Sequence, residues 1–365
     1  MNKIELLEIK TQAKYWLVRA EGGRYYEQFK YERFISVHHN EMKVEDFCSK
    51  ELLLTEEKTI EYYKEQIARK HKKDDLTKHQ ITFAAKKLYN FIEGMSVGDY
   101  VVVPSRKSNH FLIGQITSEV EEIDSQPDFP INYGYDRNTD LKRRQVKWIN
   151  EVARKKFNAK FLFSTLTLHH SIFEITEYDK YIDGLISPLY IKNGKLNLKL
   201  SVNTEKPVTS STWAALYNLI EIERNHEFDE EITVTSNVES PGDINLSSIL
   251  QFTIDNKEFI CSSGLIALAL LFGDVDMKVI KLKGLFPYLD NKRKTKLEER
   301  KLIVEVENME KDTELNDLKR QLEIEKTHKE LQVIRNMDIT IDAPNIFYED
   351  ESQKQMDLNA TSDEG

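Results

Sequence analysis

Three things that would narrow the chemistry at once are scarce in this chain: thiols, catalytic signatures and long apolar runs. Only two cysteines occur, Cys48 and Cys261, far apart in sequence. That excludes a disulfide framework and fits a reducing compartment. There is no phosphate-cradling Gly-x4-Gly-Lys-Ser/Thr loop and no Gly-x-Ser-x-Gly nucleophile elbow. The longest apolar run, Gly264 to Phe272, is roughly half of what a membrane-spanning helix needs, so it reads as a buried helix. The opening Met1-Asn2-Lys3-Ile4-Glu5 turns acidic at once and lacks the build of a secretory signal. A cytoplasmic protein without a membrane span is expected, one that binds rather than reacts, with no cofactor and no catalytic residue assigned.

What is present is charge, unevenly placed. The 365 residues carry a formal net charge of −10 and 31% charged side chains. At this length two domains are expected, and the acidic balance excludes a protein that coats nucleic acid with its whole surface. From Lys142 to Lys160, however, eight basic residues face one acid, whereas Glu349 to Gly365 is mostly polar and acidic. The local field, not the net charge, decides where a polyanion docks.

Along the chain, Tyr15-Trp16-Leu17-Val18-Arg19-Ala20 and Arg33-Phe34-Ile35-Ser36-Val37-His38 read as strands, with one helical turn expected at Tyr25 to Lys30. From Thr55 to Met95 apolar residues recur at helical spacing. Strands follow at Tyr100-Val101-Val102-Val103 and Phe111-Leu112-Ile113-Gly114-Gln115-Ile116, and another at Gln145 to Ile149. Residues 150–185 read as mainly helical, including Ala153 to Phe163 and Ser171 to Ile175. Beyond Pro188, strands at Leu189 to Ile191 and Lys195 to Val202 flank Asn193-Gly194, a pair suited to a two-residue hairpin turn. Ser210-Ser211-Thr212 opens a helix through Trp213, Leu216 and Ile220, and Glu231 to Thr235 is a further strand. After Pro287 the chain becomes charged and helical as far as Met337, with Leu315, Leu318 and Leu322 in an irregular heptad.

Four pieces, in order, carry a resemblance: Tyr15-Trp16-Leu17-Val18-Arg19 with Gly22-Gly23 and Tyr25, then Gly98-Asp99-Tyr100-Val101, then Ile113-Gly114-Gln115-Ile116, then Arg144-Gln145-Val146-Lys147-Trp148. Over about the first 150 residues the chain resembles the PUA-like superfamily, and within it the EVE-type modules of bacterial restriction and defence proteins. The resemblance implies a twisted five- or six-stranded barrel with packed helices, which holds a nucleobase, often a modified one, in an aromatic-lined pocket. Extruding a base costs a few kcal/mol of unstacking, which stacking and edge contacts must offset. On this resemblance Trp16, Tyr25, Tyr26 and Trp148 would stack on the base and Ser36, Ser105 and Asn109 would contact its edge. Arg106, Lys107, Arg143, Arg144 and Lys147 would hold phosphates, with affinity that falls steeply in salt. The helical stretch 55–95 exceeds a minimal module.

The fold expected is therefore α+β in four parts: a barrel with packed helices over 1–187, a small α+β domain over 188–288, a long charged helix over 289–337 and a disordered acidic tail over 338–365. The expected function is a non-catalytic nucleic-acid sensor of a defence or restriction system, with DNA favoured over RNA and self-association through residues 289–337. Alternatives are an effector enzyme, nuclease or nucleotide hydrolase, with catalysis in 188–288, and an adaptor assembling through the long helix. The pairs His38-His39 and His169-His170 do not assign a metal: adjacent residues on a strand point to opposite faces and no thiolate set accompanies them. Asp317 with Glu323-Ile324-Glu325-Lys326 lies in the expected helix, where a nuclease's paired-strand geometry is not available.

Overall fold

The computed structural model describes residues 6–47, 55–71, 76–124, 135–166, 171–224, 230–236, 242–249, 251–253, 258–260, 263–272, 329, 332–342 and 344. The structure is mixed α+β and divides into two units. One lies within Gln12–Ile186; the other is assembled from within Met1–Thr11 and Ser187–Ala343. The chain thus begins the second unit with a short strand, β1 (Leu7–Glu8), before it builds the first.

The strands of the first unit are β2 (Tyr15–Val18), β3 (Phe34–Val37), β4 (Tyr100–Pro104), β5 (His110–Ile116), β6 (Glu121–Glu122), β7 (Lys142–Ala153) and β8 (Ile172–Glu174). They form one sheet in the order β3-β7-β5-β4-β2-β8, with β6 also on β7, curled into half a barrel. Its helices are α1 (Tyr26–Glu32), α2 (Glu56–Lys70), α3 (Lys78–Tyr89), α4 (Ala159–Leu166) and α5 (Asp179–Ile186). β-Branched and aromatic residues build the central strands, and β2, β3 and β4 are buried on both faces. Helix α2 starts where the Thr55 hydroxyl accepts from the Lys58 N–H. Helix α3 starts on a reciprocal Thr77–Gln80 box and runs on into a π-helical turn at Asn90–Gly94. Trp16, Phe29, Phe34, Tyr63, Leu88, Phe91, Leu112 and Trp148 belong to one continuous core.

β7 is the spine of this unit. Its first residues pair with β3 (Ile35↔Arg144) and its last with β5 (Phe111↔Val152), with a register shift at Ile113/Gly114. Gly114 is required there: a Cβ would lie 2.5 Å from Trp148 Cε3 and 2.5 Å from Val146 Cγ1. β7 is much longer than the expected strand Gln145–Ile149, because Lys142, Arg143 and Arg144 are strand residues turned inward rather than a solvated run. The helices expected at Ala153–Phe163 and Ser171–Ile175 are corrected as well. Helix α4 begins only at Ala159, and Ile172–Glu174 is β8, antiparallel to β2. Its short apolar stretch fits either period, and the free edge of β2 decides the outcome.

The second unit contains β9 (Leu189–Lys192), β10 (Lys195–Val202), β11 (Ile232–Ser236), β12 (Gly242–Ile249), β13 (Gln251–Thr253), β14 (Glu258–Ile260) and β15 (Ile339–Thr340), with helices α6 (Ser210–Glu223) and α7 (Ser263–Phe272). Its main sheet runs β1-β9-β10-β12-β11, with β15 also on β10, and β13 pairs with β14 separately. The turn Asn193-Gly194 has φ of 53° and 69°, the left-handed values that this pair tolerates. Helix α6 is capped by the Thr209 side chain, one residue ahead of the expected Ser210-Ser211-Thr212. In α7, Leu265, Ile266, Leu268 and Ala269 are fully buried in a core with Leu216 and Leu246. Among the described residues no helix is long and apolar enough to cross a membrane. The tail expected from residue 338 instead opens with a strand: Ile339 and Thr340 pair with β10, and Ile339 and Ile341 pack on the core. The rest of that tail, most of the expected helix 289–337, both cysteines, His169-His170 and the Asp317–Lys326 stretch lie outside the described residues.

Candidate nucleic-acid interface and a histidine–carboxylate cluster

The residues chosen from sequence separate into an interior set and an exposed set. Trp16 is 2% exposed, and its indole N–H donates to Asp99 Oδ2 at 2.9 Å. Asp99 also accepts from the backbone N–H groups of Lys14 and Ser96, so the Gly98-Asp99 turn is a carboxylate staple for the core. Trp148 is 5% exposed and donates to the Phe29 carbonyl at 2.7 Å. The buried Tyr26 hydroxyl donates to Glu151 at 2.8 Å. Ser36 donates to Asp140 and accepts from the Asn138 amide inside the unit. None of these four offers a face or an edge to a base, and their base-binding assignment is corrected. The residue types that stack on a base also contribute the most buried area to a core.

The same correction applies to two cations. Arg144 is 0% exposed. Its guanidinium donates to the carbonyls of Phe91 at 2.8 Å, Ile92 at 2.9 Å and Met95 at 3.1 Å, closing the carboxyl end of the α3 extension. Such carbonyls have no partner within the helix, and a cation suits that end of the dipole. Arg143 lies over the Phe34 ring, 4.0 Å from its centre, donates to the Asp140 carbonyl and faces Glu32 at 3.9 Å. Neighbouring Lys142 is buried as well and donates to the His39 carbonyl at 2.8 Å; burial lowers its pKa.

Arg106, Lys107, Asn109 and Lys147 are exposed, and Ser105 and Tyr25 are half-buried. Arg106, Lys107 and Asn109 lie in the tight connection from β4 to β5, where Lys107 and Ser108 both have positive φ (63° and 54°). The Ser105 hydroxyl accepts from the His110 N–H, and the Asn109 carbonyl accepts from the Arg154 N–H at 2.8 Å. This last bond brings the β4–β5 connection beside the far end of β7. Arg106, Lys107, Arg154 and Lys155 therefore share one exposed edge, and among the described residues none of them forms an ion pair. Tyr25 stands under the Arg24 guanidinium, 5.4 Å from its ring centre.

A second constellation involves residues 32 positions apart. His39 follows β3 with φ of 91°, Glu41 lies in the next turn, and His71 caps the carboxyl end of α2. Glu41 Oε1 is 3.0 Å from His39 Nδ1 and 3.0 Å from His71 Nε2, and the three ligand atoms all lie within 4.8 Å of one another. Burial pushes the Glu41 carboxyl up, but its own backbone N–H and the two imidazoles outweigh burial and hold it at about 2. Burial, aided by the charge of Lys87, lowers the His39 pKa and favours the neutral ring. His39 also lines a cavity of about 900 Å³ between α2, α3 and β8, whose walls include Glu57, Lys64, Phe83 and Lys87. His38 faces Asp140 at 3.1 Å, and its ring centre lies 5.5 Å from that of His39. Both histidines follow the end of β3, so the alternation expected of a strand does not govern them; His71 could not be found from sequence, where no spacing rule links it to His39.

Residues 35–175 match the family model of a domain of unknown function, DUF8426. That stretch runs from β3 to just beyond β8, so it includes both the exposed cationic edge and the histidine–carboxylate cluster. No curated protein shows significant similarity to the chain.

Proposed function

We propose that the first unit is a non-catalytic nucleic-acid-binding module in the restriction or defence setting of the PUA-like modules it resembles. It would contact the phosphate backbone through Arg106, Lys107, Arg154 and Lys155. The observation that carries this reading is the convergence of these four exposed cations, none ion-paired among the described residues, on one edge of a protein whose net charge is −10. A local positive field of this kind attracts a polyanion in spite of the overall charge. Tyr25 and Asn109, near the same connection, are the base-contacting candidates that remain accessible; a pocket built on Trp16 and Trp148 is not part of this reading. DNA is favoured over RNA.

Fluorescence anisotropy with labelled duplex DNA, single-stranded DNA and RNA, each at two salt concentrations, tests it. Replacing Arg106, Lys107, Arg154 and Lys155 together by alanine is expected to weaken binding to every sequence. The slope of log K against log salt should flatten by up to about 0.9 per lost phosphate contact on duplex DNA. The melting temperature should hardly change, because exposed unpaired side chains contribute little to stability. Wild-type affinity in this variant at low salt defeats the reading.

A further inference from the structure

The cationic edge leaves the His39–Glu41–His71 cluster unused, and a polyanion has no need of it. Two imidazole nitrogens converge on one carboxylate oxygen, Glu41 Oε1, whose two acceptor positions they can fill. Two of the three ligand spacings are close to what a metal requires, and all three ligand atoms lie within 4.8 Å of one another. Tetrahedral zinc with nitrogen and oxygen donors about 2.0–2.1 Å away places its ligand atoms a little over 3 Å apart, and both histidine nitrogens are 3.0 Å from the Glu41 oxygen.

We propose that His39, Glu41 and His71 bind one divalent transition-metal ion of the zinc class, through His39 Nδ1, a Glu41 carboxylate oxygen and His71 Nε2. Imidazole with a single carboxylate suits zinc and its neighbours and does not suit calcium or magnesium, which take oxygen donors. The ligand atoms come from two separate elements: His39 and Glu41 from the turn after β3, His71 from the end of α2. The backbone of that turn is independently pinned, since Lys142 donates to the His39 carbonyl at 2.8 Å and Lys70 to the Glu41 carbonyl at 2.9 Å. Both lysines bond the main chain, not the ligand atoms, so they position the turn without occupying the site. Three protein ligands leave a coordination position for water or an incoming donor, the pattern of open rather than closed zinc sites. One of the three ligands, His39, lines the cavity of about 900 Å³. A bound ion would also tie α2 to the sheet.

The test uses the full chain, purified without a polyhistidine tag and stripped with EDTA. Zinc chloride is titrated by calorimetry, and cobalt chloride by visible absorption. The expected result is one zinc per chain and the d–d bands of low-coordinate Co²⁺. His71→Ala and Glu41→Gln should each abolish the bands. Each should also weaken zinc by more than the roughly 10–100-fold that loss of an outer-shell partner costs. His38→Ala should keep both signals. Absence of stoichiometric binding in the wild type overturns the proposal, as does undiminished binding in the two ligand variants. Equal loss in His38→Ala overturns the ligand set. Should His71→Ala fail to fold, as read from its circular dichroism in EDTA, the near-isosteric Glu41→Gln decides alone.

Discussion

The two ends of β7 carry similar basic sequences and opposite fates. At one end Lys142, Arg143 and Arg144 are buried, and Arg144 closes the carbonyls of Phe91, Ile92 and Met95. At the other end Arg154 and Lys155 emerge beside Arg106 and Lys107 with no ion pair among the described residues. What separates them is the partner supplied by the fold: carbonyls at a helix terminus on one side, open edge on the other. A buried cation is retained because removing it strands its acceptors, not because it adds much net stability. An exposed one is nearly neutral for stability and available to a ligand.

Arg144→Ala should break the contrast most severely. It leaves three buried carbonyls without their donor and should cost about 3–5 kcal/mol, lowering the melting temperature by about 6–20 °C. The Glu119 contact would add little, since that carboxylate is 76% exposed. Calorimetric melting indistinguishable from wild type would remove Arg144 from its structural role. Gly114→Ala, in β5 opposite the middle of β7, should cost about 1–3 kcal/mol by forcing Trp148 or Val146 out of place, readable as a lower urea midpoint.

A smaller effect concerns Glu151, the one acid of the basic segment, which accepts from Lys30 at 2.7 Å and from Tyr26 at 2.8 Å. Burial works to raise its pKa, but these bonds and the Lys30 charge outweigh it and depress the carboxyl below its usual 4.5. Its contribution is therefore present above about 4.5, the unfolded value, and lost as pH falls through the depressed folded value. Glu151→Gln should flatten the acid limb of the stability–pH curve in that window and leave pH 8 behaviour less pH-dependent than the acid side; an unchanged acid limb contradicts the pairing. Least of all in stability, the four-alanine edge variant should stay within about 0.5 kcal/mol per site while its affinity for nucleic acid falls.

Strands β2 to β5 were legible because aromatic and β-branched residues fill them and turn residues bound them, and β9–β10 because Asn193-Gly194 demands a hairpin. The character of β7 was not legible. A run such as Lys142-Arg143-Arg144 reads as solvated unless its acceptors are known, and those of Arg144 lie about 50 positions earlier. Trp16 and Trp148 look alike whether they stack on a ligand or on a core, and only the bonds to Asp99 and Phe29 decide. The exposed edge was half legible: Arg106 and Lys107 stood out, but their juxtaposition with Arg154 and Lys155 depends on the pairing of β5 with β7. The His39–Glu41–His71 cluster depends on where α2 ends, which no local pattern specifies.

The parallel pairing of β1 with β9, Leu7 against Tyr190, has a consequence for synthesis. The partner of β1 is translated some 180 positions after it. At about 5–20 residues per second the early strand must wait roughly 10–40 s for it. The intervening segment has time to fold as a complete insertion, while the nascent second unit stays an unfinished sheet until translation has passed Thr340, the last residue of β15.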